Sequence, residues 1–304
     1  MEKDIILIVG GGGMSGIFSA GVLKSFEDDE ICNRIHSVYA VSVGACTGAR
    51  FLVRQSELGG RTFYTRFNTD RFMKGNFVKY FFQILRRRNL PDTNVDEIFN
   101  FDYFTEVLLA SEDKIDMNKV EDSPIPFYVK VFNNSKKIHQ YLLVKGPHAY
   151  DRVLASASMT PLTSRPVVVD GEELFDGDTI PSDIEMDIVK KNPKKLIIKI
   201  DNSKNSFFGD FNFFVLFVVY TLLRSLYGAD VSNLYFKNFF KRPFWRRRLR
   251  RSRNVITLQS DTSISSFSKD TQLLKKLYRE GLEKGNELLA QLKSCEPTTR
   301  THTR

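Results

Sequence analysis

The chain has 304 residues, with 45 Lys and Arg against 36 Asp and Glu, a formal net charge of +9, and 42% hydrophobic residues including 26 Phe. That length holds one large α/β domain with an insertion or two small domains, and the apolar content supports a true core. Three cysteines, Cys32, Cys46 and Cys295, are odd in number and unpatterned, which excludes a disulfide framework or a zinc site as the organising element.

The start, Met1-Glu2-Lys3-Asp4, enters directly on the apolar run Ile5-Ile6-Leu7-Ile8-Val9. No charged leader precedes a cleavable apolar stretch, so no secretory signal peptide is expected. The expected location is the cytoplasm, including the periphery of a membrane; export by a signal-independent route stays open. Residues 4–9 read as a buried parallel strand. Gly10-Gly11-Gly12-Gly13 follows, then Met14-Ser15-Gly16 and an apolar helical stretch over residues 17–26. Four glycines leave bare backbone N–H groups that can converge on a phosphate or on the oxyanion of an attacked ester. Gly11, Gly13 and Gly16 also fit a dinucleotide fingerprint, but that motif wants an acidic residue where the second strand closes, and Ser42 stands there. No Gly-Lys-Ser or Gly-Lys-Thr follows, so a P-loop is excluded.

Residues 36–41 form the second predicted strand and residues 44–53 the helix after it. Between them Ala40-Val41-Ser42-Val43-Gly44 has small residues two before and two after the serine, the pattern of a nucleophile elbow with alanine in the first position. Taken alone, Ser42 reads better as an ordinary helix N-cap. An oxyanion hole in the glycine loop is the reading that uses both loops together.

Residues 59–123 change character and predict a helical insertion: residues 61–88 are rich in Phe, Tyr, Arg and Lys, Pro91-Asp92 breaks the run, and residues 102–109 form a short amphipathic helix. Residues 126–132 and 138–144 are expected strands joined through Asn133-Asn134-Ser135. A helix over residues 150–157 leads to Pro161, and residues 167–169 turn at Asp170-Gly171 into the strand that carries Asp176. Residues 195–200 are a further strand.

Serine needs a base to become a strong nucleophile. His36 opens the second strand at the end away from Ser42, His139 lies in a hairpin, and His302 lies in the polar tail. His148, after Gly146-Pro147, is the one tolerable triad candidate and reads more readily as a helix-start residue. Asp176, followed by Gly177-Asp178, ends a strand where the chain can turn away and leave the carboxylate facing across the sheet. On its own, this too is an ordinary Asp-Gly turn.

Residues 211–223 are dense in aromatic and β-branched side chains, too short a run for the roughly 20 residues of a membrane span. Downstream lie Lys237, Lys241, Arg242, Arg246, Arg247, Arg248, Arg250, Arg251 and Arg253, around Phe244 and Trp245. An apolar body, aromatic wedge and cationic cluster suit an anionic membrane surface; a buried helix pair with a solvated basic loop fits equally well. Nucleic acid ranks last as a partner, since no nucleic-acid-binding fold is recognisable. Residues 255–258 predict a last strand, residues 271–292 an amphipathic helix, and the Thr/Arg-rich end a disordered tail.

In this order and spacing, Gly11-Gly12-Gly13-Met14-Ser15-Gly16, Ala40-Val41-Ser42-Val43-Gly44 and Asp176-Gly177-Asp178 resemble the patatin-like phospholipase family. Residues 17–23, the Ala155-Ser156 to Pro161 stretch, and Leu277, Tyr278 and Gly281 are similar to its bacterial members as well. The resemblance implies an α/β fold, a three-layer α/β/α sandwich with a mainly parallel central sheet. It implies hydrolysis of lipid acyl esters, with no cofactor and no metal, through Ser42 as nucleophile and Asp176 as base. Backbone N–H groups of Gly11, Gly12 and Gly13 would form the oxyanion hole. Three positions depart from the family's usual residues: Ser15 replaces a basic residue, Ala40 a glycine, and Asp178 a glycine or alanine. Like-charge repulsion from Asp178 is expected to raise the pKa of Asp176. The expected division is a catalytic region over residues 1–205, an apolar and basic membrane-surface element over 206–254, and a strand, helix and tail over 255–304. The rival reading is a weakly active or non-catalytic membrane-binding module that keeps the same fold.

Overall fold

The structure, a computed structural model, describes residues 3–74, 77–87, 97–163, 166–202 and 213–294. The break expected at Pro91-Asp92, the first two residues of the 211–223 run, Cys295, His302 and the tail lie outside the described residues.

Strand β1 (Ile5–Val9) is five consecutive Ile, Leu and Val residues, and it is buried on both faces. The glycine loop follows it and leads to helix α1 (Ile17–Glu27); β2 (Ile35–Val41) then pairs with β1 in parallel and runs into α2 (Val43–Leu52). The expected insertion is helical and begins slightly earlier than residue 59. It comprises α3 (Ser56–Thr62), which continues as a π-turn through Phe67, then α4 (Phe77–Arg87), α5 (Phe101–Leu109) and α6 (Met117–Glu121). The Ser56 N–H donates to the carboxylate of buried Glu27, which fixes where α3 starts.

Strands β3 (Phe127–Asn133) and β4 (Ile138–Leu143) form an antiparallel hairpin, and α7 (Ala149–Ala157) follows. A second hairpin joins β5 (Val167–Val169) to β6 (Glu172–Asp176). Helix α8 (Glu185–Lys191), β7 (Leu196–Asp201), α9 (Phe213–Phe239), α10 (Arg242–Arg250), β8 (Val255–Gln259) and α11 (Thr271–Ser294) complete the described chain. The sheet order is β5-β6-β3-β2-β1-β7-β8, with β4 on the other edge of β3. Its centre, β3-β2-β1-β7-β8, is parallel throughout.

Successive strand residues point to opposite faces, so each strand feeds two layers. Ile5, Leu7 and Val9 pack with Phe18, Val22 and Phe26 of α1, Ala45 and Ala49 of α2, and Leu274 and Leu277 of α11. Ile6 and Ile8 pack with Met186 and Ile188 of α8 and Leu249 of α10. The result is the expected α/β/α sandwich.

Where it is described, the segment expected to be either a membrane-surface element or a buried helix pair with a basic loop consists of the two helices α9 and α10. Gly228 breaks α9 with φ 85° and ψ −178°, and the two halves close on Phe132 and Phe175 through Leu216, Leu223, Val231 and Tyr235. The basic run is helix α10 and not a loop: Pro243 sits in its first turn, where no intrahelical N–H is lost, and Leu249 anchors it in the core. Among the described residues no helix is long and apolar enough to cross a membrane.

Helix α11 lies against α1 at backbone distance. A Cβ on Gly281 would stand 2.2 Å from the Phe18 carbonyl oxygen, so only glycine allows this approach. Gly281→Val is therefore expected to lower the unfolding free energy by about 2–3 kcal/mol through overpacking, read from urea denaturation. Unchanged stability would mean that the two helices can part without cost.

Candidate active site

Ser42 occupies the N-cap position of α2, yet its hydroxyl makes no capping hydrogen bond. The ordinary N-cap reading of this residue therefore fails. Its backbone is at φ 57° and ψ −134°, a region that a non-glycine residue enters at a cost of about 1–3 kcal/mol. Neighbouring groups hold it there. The Ser42 N–H donates to Ser156 Oγ at 3.1 Å, the Ser156 hydroxyl donates to the Lys130 carbonyl at 2.8 Å, and the Ala45 N–H donates to the Ser42 carbonyl at 2.9 Å. Ser156 thus ties the elbow to β3. Ala40 is buried in β2 two residues ahead, so its methyl group is accommodated without opening the turn.

Asp176 is the last residue of β6, and its backbone N–H donates to the Ser158 carbonyl at 3.0 Å. Its side chain and that of Ser42 are within hydrogen-bonding reach, and both residues are only 3% exposed. The Asp178 N–H donates to Asp176 Oδ1 at 2.8 Å. Burial, and second the charge of Asp178, push the Asp176 carboxyl up to about 7; the Ser42 hydroxyl, the Asp178 N–H and Lys130 act in the opposite direction. The expected influence of Asp178 is present, but burial is the larger cause. Partial burial also acts to raise Asp178, and the Lys130 ammonium, 2.9 Å away, outweighs it and holds that carboxyl well below the usual range.

The glycine loop crosses directly beside this pair. A Cβ on Gly11 would come within 2.8 Å of both Ser42 Cβ and Asp178 Oδ2, and Gly12 and Gly13 have φ of 141° and 57°. The Gly10 N–H donates to the Ile200 carbonyl and that of Met14 to the Ser266 carbonyl. Among the described residues the N–H groups of Gly11, Gly12 and Gly13 find no acceptor. Asn202, just past β7, braces the loop: its amide donates to the Gly10 carbonyl at 2.7 Å and its oxygen accepts the Ser19 N–H at 2.9 Å. Ser15, where the family usually has a basic residue, turns inward and donates to the Gly12 carbonyl at 2.7 Å.

Two spaces meet at Ser42. One is a narrow apolar cavity beneath the insertion, walled by Val43, Cys46, Phe63, Phe67, Phe104 and Leu108. The other is a wide cleft of mixed lining, in which Asp176, Lys130, Lys199 and Arg242 stand among apolar residues that include Val218, Leu222 and Trp245. Helices α9 and α10, distant in sequence from Ser42, thus line its cleft. Of the described histidines, His36, His139 and His148, none lines either space. His148 bonds Asp151 and Asp170 at the opposite end of α7, and burial pushes His139 down to about 4, with its Nε2 against the Ile180 carbonyl. Among the described residues no cluster of His, Cys, Asp and Glu has the arrangement of a metal site.

Ser156, Lys130 and Asn202 are the residues that sequence reasoning missed. Ser156 lay inside a stretch already singled out. The other two carry only the weak signal of a polar residue in or just after a buried strand.

The raised Asp176 has a sign that unfolding can read. A carboxyl that holds its proton more tightly in the fold favours the folded state below pH 3.8, and that contribution is lost as pH climbs toward 7. Asp176→Asn cannot ionise, so its stability relative to the native chain should rise between pH 5 and pH 8. Urea denaturation at the two pH values measures this, and parallel changes in both proteins would mean that Asp176 titrates as an ordinary carboxyl.

A family model for patatin-like phospholipase matches residues 7–180. No curated protein matches the chain. Among solved structures, VipD from Legionella pneumophila is similar with 13% identity and a TM-score of 0.44, over 95% of this chain and 67% of that one. The type III effector protein ExoU is similar with 11% identity and a TM-score of 0.36, over 95% of this chain and 53% of that one. The chain therefore spans about two thirds of the first and about half of the second. The family match covers more than half of the 304 residues, and the protein belongs to the patatin-like phospholipase family.

Proposed function

We propose that this chain is a serine hydrolase of lipid acyl esters, with Ser42 as nucleophile and Asp176 as general base. The observation that carries the reading is an uncapped, conformationally strained serine hydroxyl facing a buried carboxyl whose pKa is raised to about 7. A base poised near the working pH is best matched to proton transfer. Asp176 takes the Ser42 proton as Oγ attacks the ester carbonyl, and the developing oxyanion is met by the N–H groups of Gly11, Gly12 and Gly13. The protonated Asp176 returns its proton to the leaving alkoxide, which departs as the alcohol. Asp176 then deprotonates a water that attacks the acyl-enzyme; its proton goes back to Ser42 Oγ as the fatty acid leaves. The apolar cavity suits the acyl chain, and the wide cleft with its charged residues suits the rest of the substrate.

Ser42→Ala and Asp176→Asn should each abolish p-nitrophenyl ester turnover and fluorophosphonate labelling, and the double variant should lose little more than either single one. Because Asp176 acts ionised, kcat/KM should rise with pH through about 7. Asp178→Asn removes a repelling charge and should move that limb to lower pH. Turnover retained in Ser42→Ala would reject the assignment, and a folded native chain that never labels would favour the non-catalytic module.

An anionic membrane is the partner proposed with this activity. Helix α10 divides its residues: Arg242, Trp245 and Arg246 face the cleft, whereas Phe244, Arg247, Arg248 and Arg250 are exposed, as is Arg251 beyond its end. Exposed Phe217 and Phe236 of α9 add apolar surface. Replacing Arg247, Arg248, Arg250 and Arg251 with Gln should weaken binding to anionic vesicles by about 10²–10³-fold, at roughly 1 kcal/mol per cation, and spare turnover of a soluble ester. Equal co-sedimentation with neutral vesicles would remove the electrostatic claim.

A further inference from the structure

The turn after Asp176 leaves a second carboxylate open to the cleft and fixes it there. Asp178 Oδ1 accepts the Lys130 ammonium at 2.9 Å, and the Asp178 N–H donates to Asp176 Oδ1 at 2.8 Å. Gly177 between the two acids lies against β3, since a Cβ there would stand 2.6 Å from Lys130 Cγ and 2.8 Å from the Lys130 carbonyl oxygen. The Asp178 side chain is nonetheless 38% exposed, and it lines the wide cleft. Among the described residues its Oδ2 accepts no hydrogen bond. That oxygen stands beside the proposed nucleophile. The point where a Cβ on Gly11 would sit is 2.8 Å from Asp178 Oδ2 and 3.5 Å from Ser42 Oγ, so the two oxygens are at most about 6.3 Å apart.

A fixed carboxylate oxygen facing open space takes a hydrogen-bond donor, and its surroundings decide which kind. Lys130, Arg242 and Lys199 all act to hold the Asp178 carboxyl ionised, so its charge is already balanced by cations. An ammonium donor would add one more cation to these three, and an anion would be repelled by Oδ2 itself. A neutral O–H meets neither penalty. Resting on the proposed Ser42 chemistry, we infer that this cleft selects esters whose alcohol carries a free hydroxyl on the carbon next to the ester-bearing one, with Asp178 Oδ2 as its acceptor. The reach agrees. An attacked carbonyl carbon stands about 3–3.5 Å from the nucleophile before the bond forms. A hydroxyl oxygen four bonds from that carbon lies about 3–5 Å from it, and its bond to a carboxylate adds about 2.5–2.7 Å. Those lengths bridge Ser42 Oγ and Asp178 Oδ2 with a bend in the path. Asp178 is then a specificity residue for the alcohol side of the ester. Monoacylglycerols, lysophospholipids and sugar esters offer the hydroxyl; fully acylated glycerides do not.

2-Hydroxypropyl hexanoate should be hydrolysed with kcat/KM about tenfold or more above both 2-methoxypropyl hexanoate and propyl hexanoate, which bracket its bulk and lack the donor. Each enzyme is assayed on its own pH plateau, so a shifted base does not enter the ratio. The double variant Lys130→Met, Asp178→Ala removes acceptor and ammonium together and strands no buried charge; there the ratio should fall to near one. If it does not fold, Asp178→Asn, whose amide is a weaker acceptor, should lower the ratio. An ion pair that serves the fold alone would leave the ratio as it is, and that result overturns the inference. 1-Hexanoylglycerol and 1-hexanoylglycerophosphocholine carry the same hydroxyl on different head groups; both should exceed propyl hexanoate, and the faster one identifies the source. Calorimetry on Ser42→Ala with the hydroxy and methoxy esters isolates binding from chemistry. Tighter binding of the hydroxy ester there supports the inference even if no ester is turned over, in which case the hydrolase reading alone fails. Equal handling of the two esters in the native enzyme and in Ser42→Ala would overturn it and reduce Asp178 to the partner of Lys130.

Discussion

Strand β3 gives one edge to two different partners, and the candidate site exists because of that division. Its other edge is filled along residues 128–133 by β4, so β2 and β6 must share the remaining one end to end. Val41 pairs with Lys130, and Asp176 pairs with Val131. The residue after the end of β2 is Ser42, and the residue that ends β6 is Asp176, so adjacent rungs of one ladder bring the proposed nucleophile and base together. Side chains alternate with period two, so a one-residue slip of β6 would present Phe175 in place of Asp176. The hydrogen bond from Ser156 to the Lys130 carbonyl sits at the same junction and joins helix α7 to it. Register, more than any side-chain contact, holds the pair.

The electrostatics follow from that placement. Burial at a strand end raises the pKa of the Asp176 carboxyl. A second carboxylate two residues on deepens the effect, and Lys130 limits it by pairing with Asp178. Lys130 lies on the rung that receives Val41, so the strand that fixes the geometry also supplies the cation that tunes it. Removing Asp178 would leave the Lys130 ammonium, whose side chain is only 3% exposed, without its carboxylate, which makes Lys130 and Asp178 a unit.

How much of this was legible in the sequence divides along physical lines. Local features were: the Ile-Leu-Val run of β1, the glycine loop, the small residues around Ser42 and the Asp176-Gly177 turn each carry their meaning within a few residues, and their order carries the fold. Contacts between distant segments were not. Lys130 looks like any lysine interrupting a strand, and nothing near Asn202 says that its amide closes on Gly10, 192 residues away in sequence. Helix α10 misled more seriously. Its nine residues include five arginines, which read as one solvated block, but helical period sends Arg242 and Arg246 to one side and Arg247 and Arg248 to the other, while Arg250, four residues past Arg246, is exposed at the end of the helix. A composition-level reading has no phase, so it could not separate them.

That division gives α10 a part in both halves of the proposed function. One face walls the cleft beside Asp178 and Lys199; the other is exposed, basic and tipped by Phe244. Leu249 packs the last turn of this helix against Ile6 and Ile8 of β1 and Ile197 of β7, and Val231, Tyr235 and Phe239 seat the second half of α9 on Phe132 and Phe175. The cleft-facing residues Arg242, Trp245 and Arg246 are therefore held to the same sheet that carries the shared ladder. Contact of the outer face with a charged surface would draw on Arg247 and Arg248 and leave the placement of Ser42 and Asp176 to the strands.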